Sequence, residues 1–360
     1  MNKLYLRIPE KMKRIPVYLG SHLWPALRDW LAENAAGRGI WAIADDNVAR
    51  LYRQEVTANL GNLPNYRGML GFPPGDEHKN RDTKEALEDA LLQNRAGRDT
   101  ILLAFGGGVT TDLVGFLAAT LHRGVPVVYL STSLLGQVDA AIGGKVGVNH
   151  PAGKNLIGAF YQPQAVFLDQ AFLKTLPEEE FANGMAEVLK YGMILDESVL
   201  EMVEDLSASD NPAPEQLTPL VKRCVELKIA VVEKDEKESR YRAVLNFGHT
   251  VAHALEQLSE YQIPHGFAVA WGMIFAARLS RNKLGYPSQK IERLENLLAL
   301  WSLLQETPFR FHPEAVWQAL QSDKKARQGK PLFTLIDKNG RPALFREVSK
   351  EEFFDVFRPE

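Results

Sequence analysis

The chain has 360 residues, of which 45% are apolar, and a formal net charge of −3 from 42 basic and 45 acidic side chains. This length favours two domains, and the apolar content is sufficient to fill both cores. The near balance of charge excludes a general attraction to nucleic acid or to an anionic membrane surface. The single cysteine excludes an internal disulfide framework and predicts a reducing, cytoplasmic location. The N-terminal segment lacks the apolar core of a signal peptide, and no charge-free apolar run reaches the ~18 residues of a membrane span.

Strand-like and helix-like segments alternate in the first half of the chain. The segments GIWAIADDNV, DTILLAFGGG and VPVVYLST read as buried strands, whereas DTKEALEDALLQ and TDLVGFLAATLHRG read as helices. This alternation predicts a Rossmann-like α/β domain, with a parallel sheet covered by helices.

The pattern changes around LKTLPEEEF, after which most segments have helical periodicity. We therefore expect an α/β domain over residues 1–176 and a mainly helical, all-α domain over residues 177–360. The tail segment PLFTLIDKNGRPALFREV predicts a short hairpin around Asn339-Gly340, followed by a last helix.

Three of the eight histidines, His249, His253 and His265, fall within 17 residues that otherwise read as buried helix. His249 and His253 are four residues apart, so on a helix they share one face, about 6 Å apart along the axis. His265 follows Pro264, which suits the start of a helix. Imidazole is the commonest neutral ligand of divalent metals, but core histidines with satisfied ring nitrogens would show the same pattern. These residues alone leave both interpretations open.

A carboxylate upstream favours the metal site. Glu187 and Lys190 lie three residues apart in the apolar segment NGMAEVLKYGMI, so they share a helical face. A surface ion pair would have the same spacing, but the flanking residues predict that this pair points into the protein. Two histidines and a glutamate would form a three-ligand zinc site with an open fourth position, which is typical of catalytic zinc.

Glycines 106–108 follow an apolar strand and precede a predicted helix. A backbone without side chains can approach a phosphate closely, and a helix N-terminus offers free N–H groups and a positive dipole. The turn departs from the GxGxxG fingerprint, and a simple strand-to-helix turn would also favour glycine. Its position at the carboxyl end of a parallel strand favours dinucleotide pyrophosphate as the occupant. Asp45 and Asn47, at the end of an earlier strand, read equally well as ribose ligands or as turn residues.

The segment GQVDAAIGGKVGVNHPAGKNLIGAFYQP concentrates polar side chains among glycines and apolar residues, which predicts a packed loop and not a solvated one. Packed lysines and asparagines need partners, which an anionic, hydroxyl-rich substrate would provide. Arg123, Lys228 and Arg242 add further positive charge. Beside a metal and a nicotinamide, such cations indicate a phosphorylated or carboxylated polyol. The polar residues of the segment are Asp139, Lys145, Asn149, His150, Lys154 and Asn155.

Over nearly its whole length the sequence resembles the 3-dehydroquinate synthase family. The most specific stretches are RGVPVVYLSTSLLGQVDAAIGGKVGVNHPAGKNLIGAFYQP, GMAEVLKYG and DEKESRYRAVLNFGHTVAHALE. The resemblance implies conversion of 3-deoxy-D-arabino-heptulosonate 7-phosphate to 3-dehydroquinate and phosphate, with catalytic NAD⁺ and a divalent metal, zinc or cobalt. It also implies a homodimer.

The resemblance implies a role for each matching position. The metal ligands are Glu187, His249 and His265, so His253 becomes an acid/base or phosphate-contacting group. The substrate-contacting and catalytic set comprises Arg123, Asp139, Lys145, Asn155, Lys190, Lys228, Arg242, Asn246 and His253. Lys324 or Lys325 would reach the substrate phosphate or carboxylate. The cofactor-binding set comprises Asp45, Asn47, Asp76, Lys79, Gly107, Gly108, Asp112, Thr132, Ser133, Lys145, Lys154 and Thr175.

Several positions depart from the family pattern. Thr111 stands where glycine is usual, Asp76 where glutamate is usual, and Ser131-Thr132-Ser133 where Pro-Thr-Thr is usual. Phe267 replaces a glutamate and Trp271 a small apolar residue. Because Phe267 lies two residues from a predicted metal ligand, the orientation of that ligand is expected to differ.

Three alternatives remain. Another sugar-phosphate cyclase would share the fold and cofactors, but those lacking a substrate carboxylate tend to replace His253 and Asn246, which are both present. A polyol dehydrogenase of the glycerol dehydrogenase type would need NAD and metal but not the cation-rich segment, and would release net NADH. A catalytically inactive relative with a scaffold role is the third, suggested by Phe267.

Overall fold

The structure is a computed structural model that describes residues 14–207, 213–305, 309–322 and 330–357. In chain order its strands are β1 (Val17–Gly20), β2 (Gly39–Asp45), β3 (Tyr66–Phe72), β4 (Thr100–Gly106), β5 (Val127–Ser131), β6 (Lys145–His150), β7 (Gly153–Phe160), β8 (Ala165–Asp169), β9 (Leu332–Ile336) and β10 (Pro342–Glu347). Its helices are α1 (Trp24–Asn34), α2 (Asp46–Leu60), α3 (Arg81–Gln93), α4 (Gly108–Thr120), α5 (Glu178–Ile194), α6 (Ser198–Ser207), α7 (Pro214–Lys234), α8 (His249–Leu258), α9 (His265–Leu284), α10 (Ser288–Leu300), α11 (Pro313–Ser322) and α12 (Lys350–Val356).

A six-stranded sheet with the order β1-β8-β5-β4-β2-β3 forms the first half of the molecule. All of its neighbouring strands run parallel. Alternate residues of β4 enter two apolar clusters on opposite faces: Leu102 packs with α3 and α4, and Leu103 packs with α1 and α2. Burial on both faces explains the continuous apolar runs of the strands. The predicted α/β fold is confirmed.

The strand order reverses between β2 and β4, because the chain goes outward from β2 to β3 and then returns to the other side of β2. In open parallel sheets the crevice at such a reversal, outside the carboxyl ends of the strands, is the usual ligand site. Asp45 ends β2 and Gly106 ends β4, so both strands present their predicted cofactor residues at this crevice.

Helices dominate from Glu178 onward, as predicted. Helix α7 contacts β1 of the sheet, and both α5 and α7 contact the turn at residues 136–140. The apolar cluster that covers one face of the sheet continues into these helices. The predicted C-terminal hairpin is confirmed: β9 and β10 pair antiparallel, and α12 follows. Within the described parts of the chain we find no helix that is both long and apolar enough to cross a bilayer.

The glycine-rich polar segment is not the packed loop that the sequence predicts. It begins with one π-helical turn over Gly136–Ala140 and continues as the antiparallel hairpin β6–β7, in which Lys145 pairs with Phe160. Val146 and Val148 of β6 are buried, whereas β7 is half exposed. Frequent glycine hides these strands in the sequence, because it leaves no side chain to mark a buried or an exposed face. Such π-helical turns often accompany functional sites.

Candidate active site

The predicted metal ligands meet in the helical half of the molecule. Glu187 lies in the middle of α5, His249 begins α8, and His265 begins α9. One nitrogen or oxygen atom from each lies within 4.8 Å of those of the other two. Glu187 Oε1 lies 3.3 Å from His249 Nε2 and 3.4 Å from His265 Nε2. The first residues of α8 and α9 therefore direct both imidazole rings toward the buried carboxylate of Glu187.

Close helix packing places the two histidines opposite each other. Gly248 caps α8 in the left-handed region at φ 80°, and a Cβ there would lie 2.9 Å from Met273 N in α9. A Cβ on Gly272 would lie 2.0 Å from Gly248 O. Only glycine at both positions allows the start of α8 to reach the backbone of α9, which brings His249 near His265.

The donor set fits a divalent metal. Ligands about 2.0–2.2 Å from a tetrahedral zinc lie roughly 3.3–3.6 Å from one another, which matches the two glutamate–histidine distances. Glu187 Oε1 is fully buried and, among the described residues, accepts no hydrogen bond of acceptable geometry. A buried carboxylate oxygen without a donor is costly, so it indicates a cation as the missing partner.

The surroundings of the two histidines shift their pKa values in opposite directions. Burial lowers the pKa of His249 to about 4, against the attraction of Glu187, so the imidazole is neutral at pH 7 and keeps a free lone pair. Burial alone would also lower the pKa of His265, but the carboxylates of Glu187 and Glu256 raise it to about 10. Binding of a cation at His265 must therefore displace a proton.

His253 does not belong to this group, although its spacing from His249 suggested a shared metal. The two rings lie 5.7 Å apart, centroid to centroid, and meet edge to face. Among the described residues, the group that could hold a metal ion consists of Glu187, His249 and His265. His253 is half-buried on the same helical face, one turn further along α8. That position suits a group acting on a ligand beside the metal.

Buried cations extend the site from Glu187 toward the sheet. Lys190 is buried and forms an ion pair with Glu187 Oε2. Lys228 of α7 donates to Asp139 Oδ1 at 2.5 Å, and the Tyr191 hydroxyl donates to the same oxygen at 2.8 Å. Burial raises the pKa of Asp139, but Lys228 and Lys190 outweigh it and hold that pKa below its usual range. The predicted substrate residues on α5, α7 and the π-helical turn thus form one network.

Arg242 and Lys145 form the other side of this network. Arg242 is 2% exposed and donates to the carbonyls of Gly143 at 3.1 Å and Glu236 at 2.6 Å. Lys145 pairs with Glu238, which also accepts from Asn246 Nδ2 at 2.8 Å. Glu238 thus joins two predicted substrate residues and was not itself predicted. The acidic run DEKES just before Arg242 was the available signal in the sequence.

A second network lies beside α4. Lys79 is 5% exposed and donates to Asp112 Oδ2 at 2.5 Å and to Asn155 Oδ1 at 2.6 Å. Burial raises the pKa of Asp112, although Lys79 lies beside it. Asn155 has φ 54°, a left-handed conformation that asparagine tolerates, and this turns its amide toward Lys79. Two predicted cofactor residues and one predicted substrate residue therefore meet here.

Lys154 links the two halves of the molecule. Its Nζ lies 3.1 Å from Asp76 Oδ2 and 2.9 Å from Glu256 Oε1. Asn149 Nδ2 also donates to Asp76 Oδ2 at 3.0 Å. The sequence assigned the partners of these lysines and asparagines to an anionic substrate, whereas in the structure Lys154 and Asn149 have partners within the protein. Glu256 was not among the predicted site residues, although it is the last residue of the segment HTVAHALE.

The glycine turn presents the free N-terminus of α4 at the crevice between β2 and β4. Gly107 is the N-cap, and no side chain caps the helix there. A Cβ on Gly107 would lie 2.8 Å from Ser133 Oγ, and one on Gly108 would lie 3.3 Å from Ala140 Cβ. Gly107 has φ −81°, which lies outside the left-handed region. Close approach, and not backbone conformation, is what requires glycine here.

Two other predicted cofactor residues, Asp45 and Thr132, lie close to this turn. Asp45 caps α2 by accepting from Asn47 N and Val48 N, both at 3.0 Å. Its second oxygen, 3.5 Å from Thr110 Oγ1, faces α4. Thr132 is buried at the end of β5, next to Ser133. Capping of α2 thus gives Asp45 a structural role of its own.

Three predicted residues lie apart from these networks. The Thr175 hydroxyl contacts the Tyr52 hydroxyl at 2.5 Å, beyond the end of β8. Arg123 is exposed after α4, and within the described chain no hydrogen bond or ion pair joins it to the other predicted residues. The Asn47 side chain meets Arg50 at 3.4 Å on the surface of α2. Lys324 and Lys325 lie outside the described residues.

The residues Thr111, Phe267 and Trp271, which depart from the family pattern, lie on α4 and α9. Thr111 is buried in the first turn of α4 and its hydroxyl donates to Gly108 O at 3.0 Å. Phe267 packs, half-buried, against the main apolar cluster, and Trp271 is 45% exposed one turn further along α9. Among the described residues, the carboxylate near His265 Nδ1 comes from Glu256 and not from position 267.

Comparison with known proteins agrees with this geometry. Two family models described as 3-dehydroquinate synthase match the chain, the N-terminal model over residues 69–183 and the C-terminal model over residues 184–326. A curated 3-dehydroquinate synthase from Desulforamulus reducens is 40% identical over 343 residues, covering 95% of this chain and 96% of its own. One from Pseudoalteromonas translucida is 43% identical over 315 residues, covering 86% of this chain and 87% of its own.

Solved structures show the same fold. A 2-deoxy-scyllo-inosose synthase complexed with carbaglucose-6-phosphate, NAD⁺ and Co²⁺ is 27% identical, with a TM-score of 0.86 over 94% of this chain and 95% of that one. A 2-epi-5-epi-valiolone synthase from Streptomyces hygroscopicus, with NAD⁺ and Zn²⁺ bound, is 25% identical, with a TM-score of 0.87 over 98% of each chain. A probable glycerol dehydrogenase from Sinorhizobium meliloti, 16% identical with a TM-score of 0.60 over 95% of each chain, shares the fold alone.

Proposed function

The chain belongs to the 3-dehydroquinate synthase family, and on this premise we propose that it converts 3-deoxy-D-arabino-heptulosonate 7-phosphate to 3-dehydroquinate and phosphate. This is a phosphate-eliminating carbon–oxygen lyase reaction of the shikimate pathway, which leads to the aromatic amino acids. NAD⁺ is used catalytically, and zinc or cobalt is the second cofactor. The observation that carries the proposal is the convergence of Glu187, His249 and His265 beside a network of buried cations.

The proposed role of the metal site is to polarise a substrate oxygen. Glu187, His249 and His265 would hold a divalent cation, which would supply Lewis-acid stabilisation of negative charge on a substrate oxygen. The chain's own residues place that oxygen. Lys190, fixed by Glu187, and Lys228, fixed by Asp139, offer donors to hydroxyl, carboxylate or phosphate oxygens without needing to reorient. Preorganised donors of this kind stabilise developing charge most strongly in a site shielded from water.

Proton transfer belongs to His253 in this proposal. Its half-buried ring stands one turn from His249, so it faces a substrate beside the metal without taking part in coordination. An imidazole can hold and return a proton through its ring nitrogens, which suits His253 to this role during phosphate elimination. The Arg242 guanidinium, the Lys145 ammonium and the Asn246 amide would bind the anionic groups.

The cofactor belongs at the crevice between β2 and β4. The uncapped N-terminus of α4 supplies N–H groups for the pyrophosphate, with space kept by Gly107 and Gly108. Asp45 is placed for a ribose hydroxyl. The other residues proposed for this side are Asn47, Asp76, Lys79, Asp112, Thr132, Ser133, Lys145, Lys154 and Thr175.

Assembly, location and domain limits are further parts of the proposal. We place the NAD-binding domain at residues 1–176 and the metal- and substrate-binding domain at residues 177–360. The family resemblance supports a homodimer, and it also assigns Arg123 and Asn155 to the substrate-contacting set. The single, buried Cys224 is compatible with a reducing cytoplasm. Sedimentation of the purified protein tests the dimer directly.

One assay tests the reaction. Purified protein is incubated with NAD⁺, Zn²⁺ or Co²⁺ and the heptulosonate phosphate, while phosphate release, NADH absorbance and the organic product are followed. We expect phosphate and 3-dehydroquinate in equal amounts and no net NADH. Net NADH would indicate a polyol dehydrogenase. Turnover only of a sugar phosphate without a carboxylate would indicate a different cyclase. No turnover of any of these substrates would favour a scaffold.

A further inference from the structure

Glu256 is a buried carboxylate in contact with a metal ligand. It stands on α8 seven residues after His249, on the same helical face, and its side chain is 1% exposed. Its Oε1 lies 3.3 Å from His265 Nδ1 and 2.9 Å from Lys154 Nζ. Burying a carboxylate is costly unless its partners compensate for the lost hydration. The contacts with His265 and Lys154 explain why Glu256 can be buried.

The two ring nitrogens of His265 face different carboxylates, Nε2 that of Glu187 and Nδ1 that of Glu256. Nε2 faces Glu187 Oε1 at 3.4 Å and must offer a lone pair to the metal. A proton on Nδ1, donated to Glu256, selects the tautomer in which Nε2 is free. Metal-bound histidines commonly donate their second ring N–H to a carboxylate, which also fixes the plane of the ring.

We propose that Glu256 is a positioning residue that holds His265 in its metal-binding orientation. This inference rests on the proposed metal-dependent function. His249 has a different arrangement, since its Nδ1 lies 3.2 Å from the Phe247 carbonyl oxygen. The two imidazoles are thus oriented by different acceptors, one on the backbone and one on a side chain. Only the second can be removed by substitution.

Lys154 holds Glu256 from the other side. Its ammonium is shared between Glu256 and Asp76 Oδ2 and lies 4.9 Å from the centre of the Tyr261 ring. Because Lys154 belongs to β7 and Glu256 to α8, the ion pair ties the hairpin to the helix that carries His249. A purely structural role for Glu256 would consist of this ion pair alone, which gives the competing explanation a distinct set of consequences.

Two substitutions separate position from charge. Glu256→Asp keeps the charge but withdraws the acceptor from His265 by about 1.5 Å, the length of one carbon–carbon bond. Glu256→Gln keeps an acceptor at the same reach but removes the charge. We expect Glu256→Asp to raise the dissociation constant of Co²⁺ about 10- to 100-fold. We expect Glu256→Gln to raise it less, by under about 10-fold, because its amide oxygen still accepts from Nδ1.

The measurement is a titration of the metal-free full chain with Co²⁺ in competition with a chelator, together with the visible absorption of bound Co²⁺. Lys154→Met is the matched control, because it breaks the same ion pair but leaves the acceptor of His265 in place. We expect it to lower the melting temperature and to change the Co²⁺ dissociation constant by less than about threefold. No substrate or NAD⁺ is needed, so the test is independent of turnover.

Three results would overturn the inference. In the first, both Glu256 variants bind Co²⁺ as tightly as the wild type does. In the second, Glu256→Gln weakens binding while Glu256→Asp does not, which would make the charge the only contribution. In the third, Lys154→Met weakens binding as much as Glu256→Asp. A wild-type chain that binds no Co²⁺ at all would instead overturn the proposed function, so the two failures are distinguishable.

Discussion

Glu187 and Lys190 form a buried ion pair on α5 that occupies one carboxylate oxygen and leaves the other facing two histidines. Both side chains are at most 2% exposed. Burial would raise the pKa of Glu187, but Lys190 and His249 outweigh it and hold that pKa well below its usual range. The carboxylate therefore stays ionised without a metal, and its free oxygen is a ready ligand for a divalent cation.

Removal of any ligand should abolish metal binding. We expect Glu187→Ala, His249→Ala and His265→Ala to lose metal and activity together while the fold survives, because the two remaining ligands hold zinc or cobalt too weakly. Metal content after gel filtration and circular dichroism of the same samples check this. A His265→Ala protein with stoichiometric zinc and most of its turnover would show that the ligand assignment is wrong.

His253→Ala should separate chemistry from metal binding. Its ring lies outside the ligand set, so we expect the variant to retain stoichiometric metal. Turnover should fall on the order of 10²-fold or more, which is the scale of positioned acid–base catalysis. The check is metal analysis beside steady-state kinetics on one preparation. If zinc is lost as completely as in His249→Ala, His253 is a ligand after all.

The glycine turn before α4 should be sensitive to any side chain. Gly107→Val would place its Cβ 2.8 Å from Ser133 Oγ and fill the space next to the helix N-terminus. We expect NAD⁺ affinity to fall at least about 10-fold, equivalent to about 1.4 kcal/mol, with unchanged metal content. NAD⁺ titration by calorimetry and metal analysis measure the two effects.

Gly115→Ala is the matched control for that experiment. It lies in the middle of the same helix, where a Cβ would meet the Tyr129 hydroxyl and Val146 Cγ1, each at 2.4 Å. This clash should lower the melting temperature, but the folded fraction should bind NAD⁺ normally. A Gly107→Val protein with the same behaviour as Gly115→Ala would mean that Gly107 serves helix–strand packing alone.

Local sequence patterns predicted those features that depend on short-range chemistry. Alternating strands and helices identified the parallel sheet, and the glycines after β4 identified the open helix N-terminus. Spacing alone paired His249 with His253, since residues four apart share a helical face. The structure instead pairs His249 with His265, which is 16 residues further along the chain. Only the packing of α8 against α9 brings the two histidines together, and that packing depends on Gly248 and Gly272.

Partners that are remote in sequence could not be predicted in the same way. Glu256 meets Lys154, which is 102 residues away, and Glu238 meets Lys145, which is 93 residues away. Each of these glutamates also resembles an ordinary surface acid in its local segment. What distinguishes them is an ion pair with a lysine from another element, which is a property of the assembled fold; Glu256 is buried in its pair and Glu238 is half-buried.

The ion pair of Lys228 with Asp139 predicts a pH-dependent stability. A carboxyl group whose pKa is lowered by folding stabilises the protein above its unfolded pKa, about 3.9, and loses that contribution as the pH falls. Lys228→Met removes the closest cation, at 2.5 Å, and leaves a mostly buried carboxylate with Lys190 as its remaining cationic neighbour. We expect the free energy of unfolding of the metal-free protein to fall by about 2 kcal/mol at pH 7.

That loss should shrink as the pH is lowered from 7 toward 4, because protonation of Asp139 in the variant removes the uncompensated charge. Urea unfolding of both proteins in chelator at each pH measures the difference. Lys290→Met provides the comparison, since it breaks a half-exposed pair with Glu197 at 2.7 Å. It should cost under about 1 kcal/mol at either pH. A loss for Lys228→Met that is equally large at pH 7 and pH 4 would show that packing of the lysine stem, and not its charge, stabilises this part of the site.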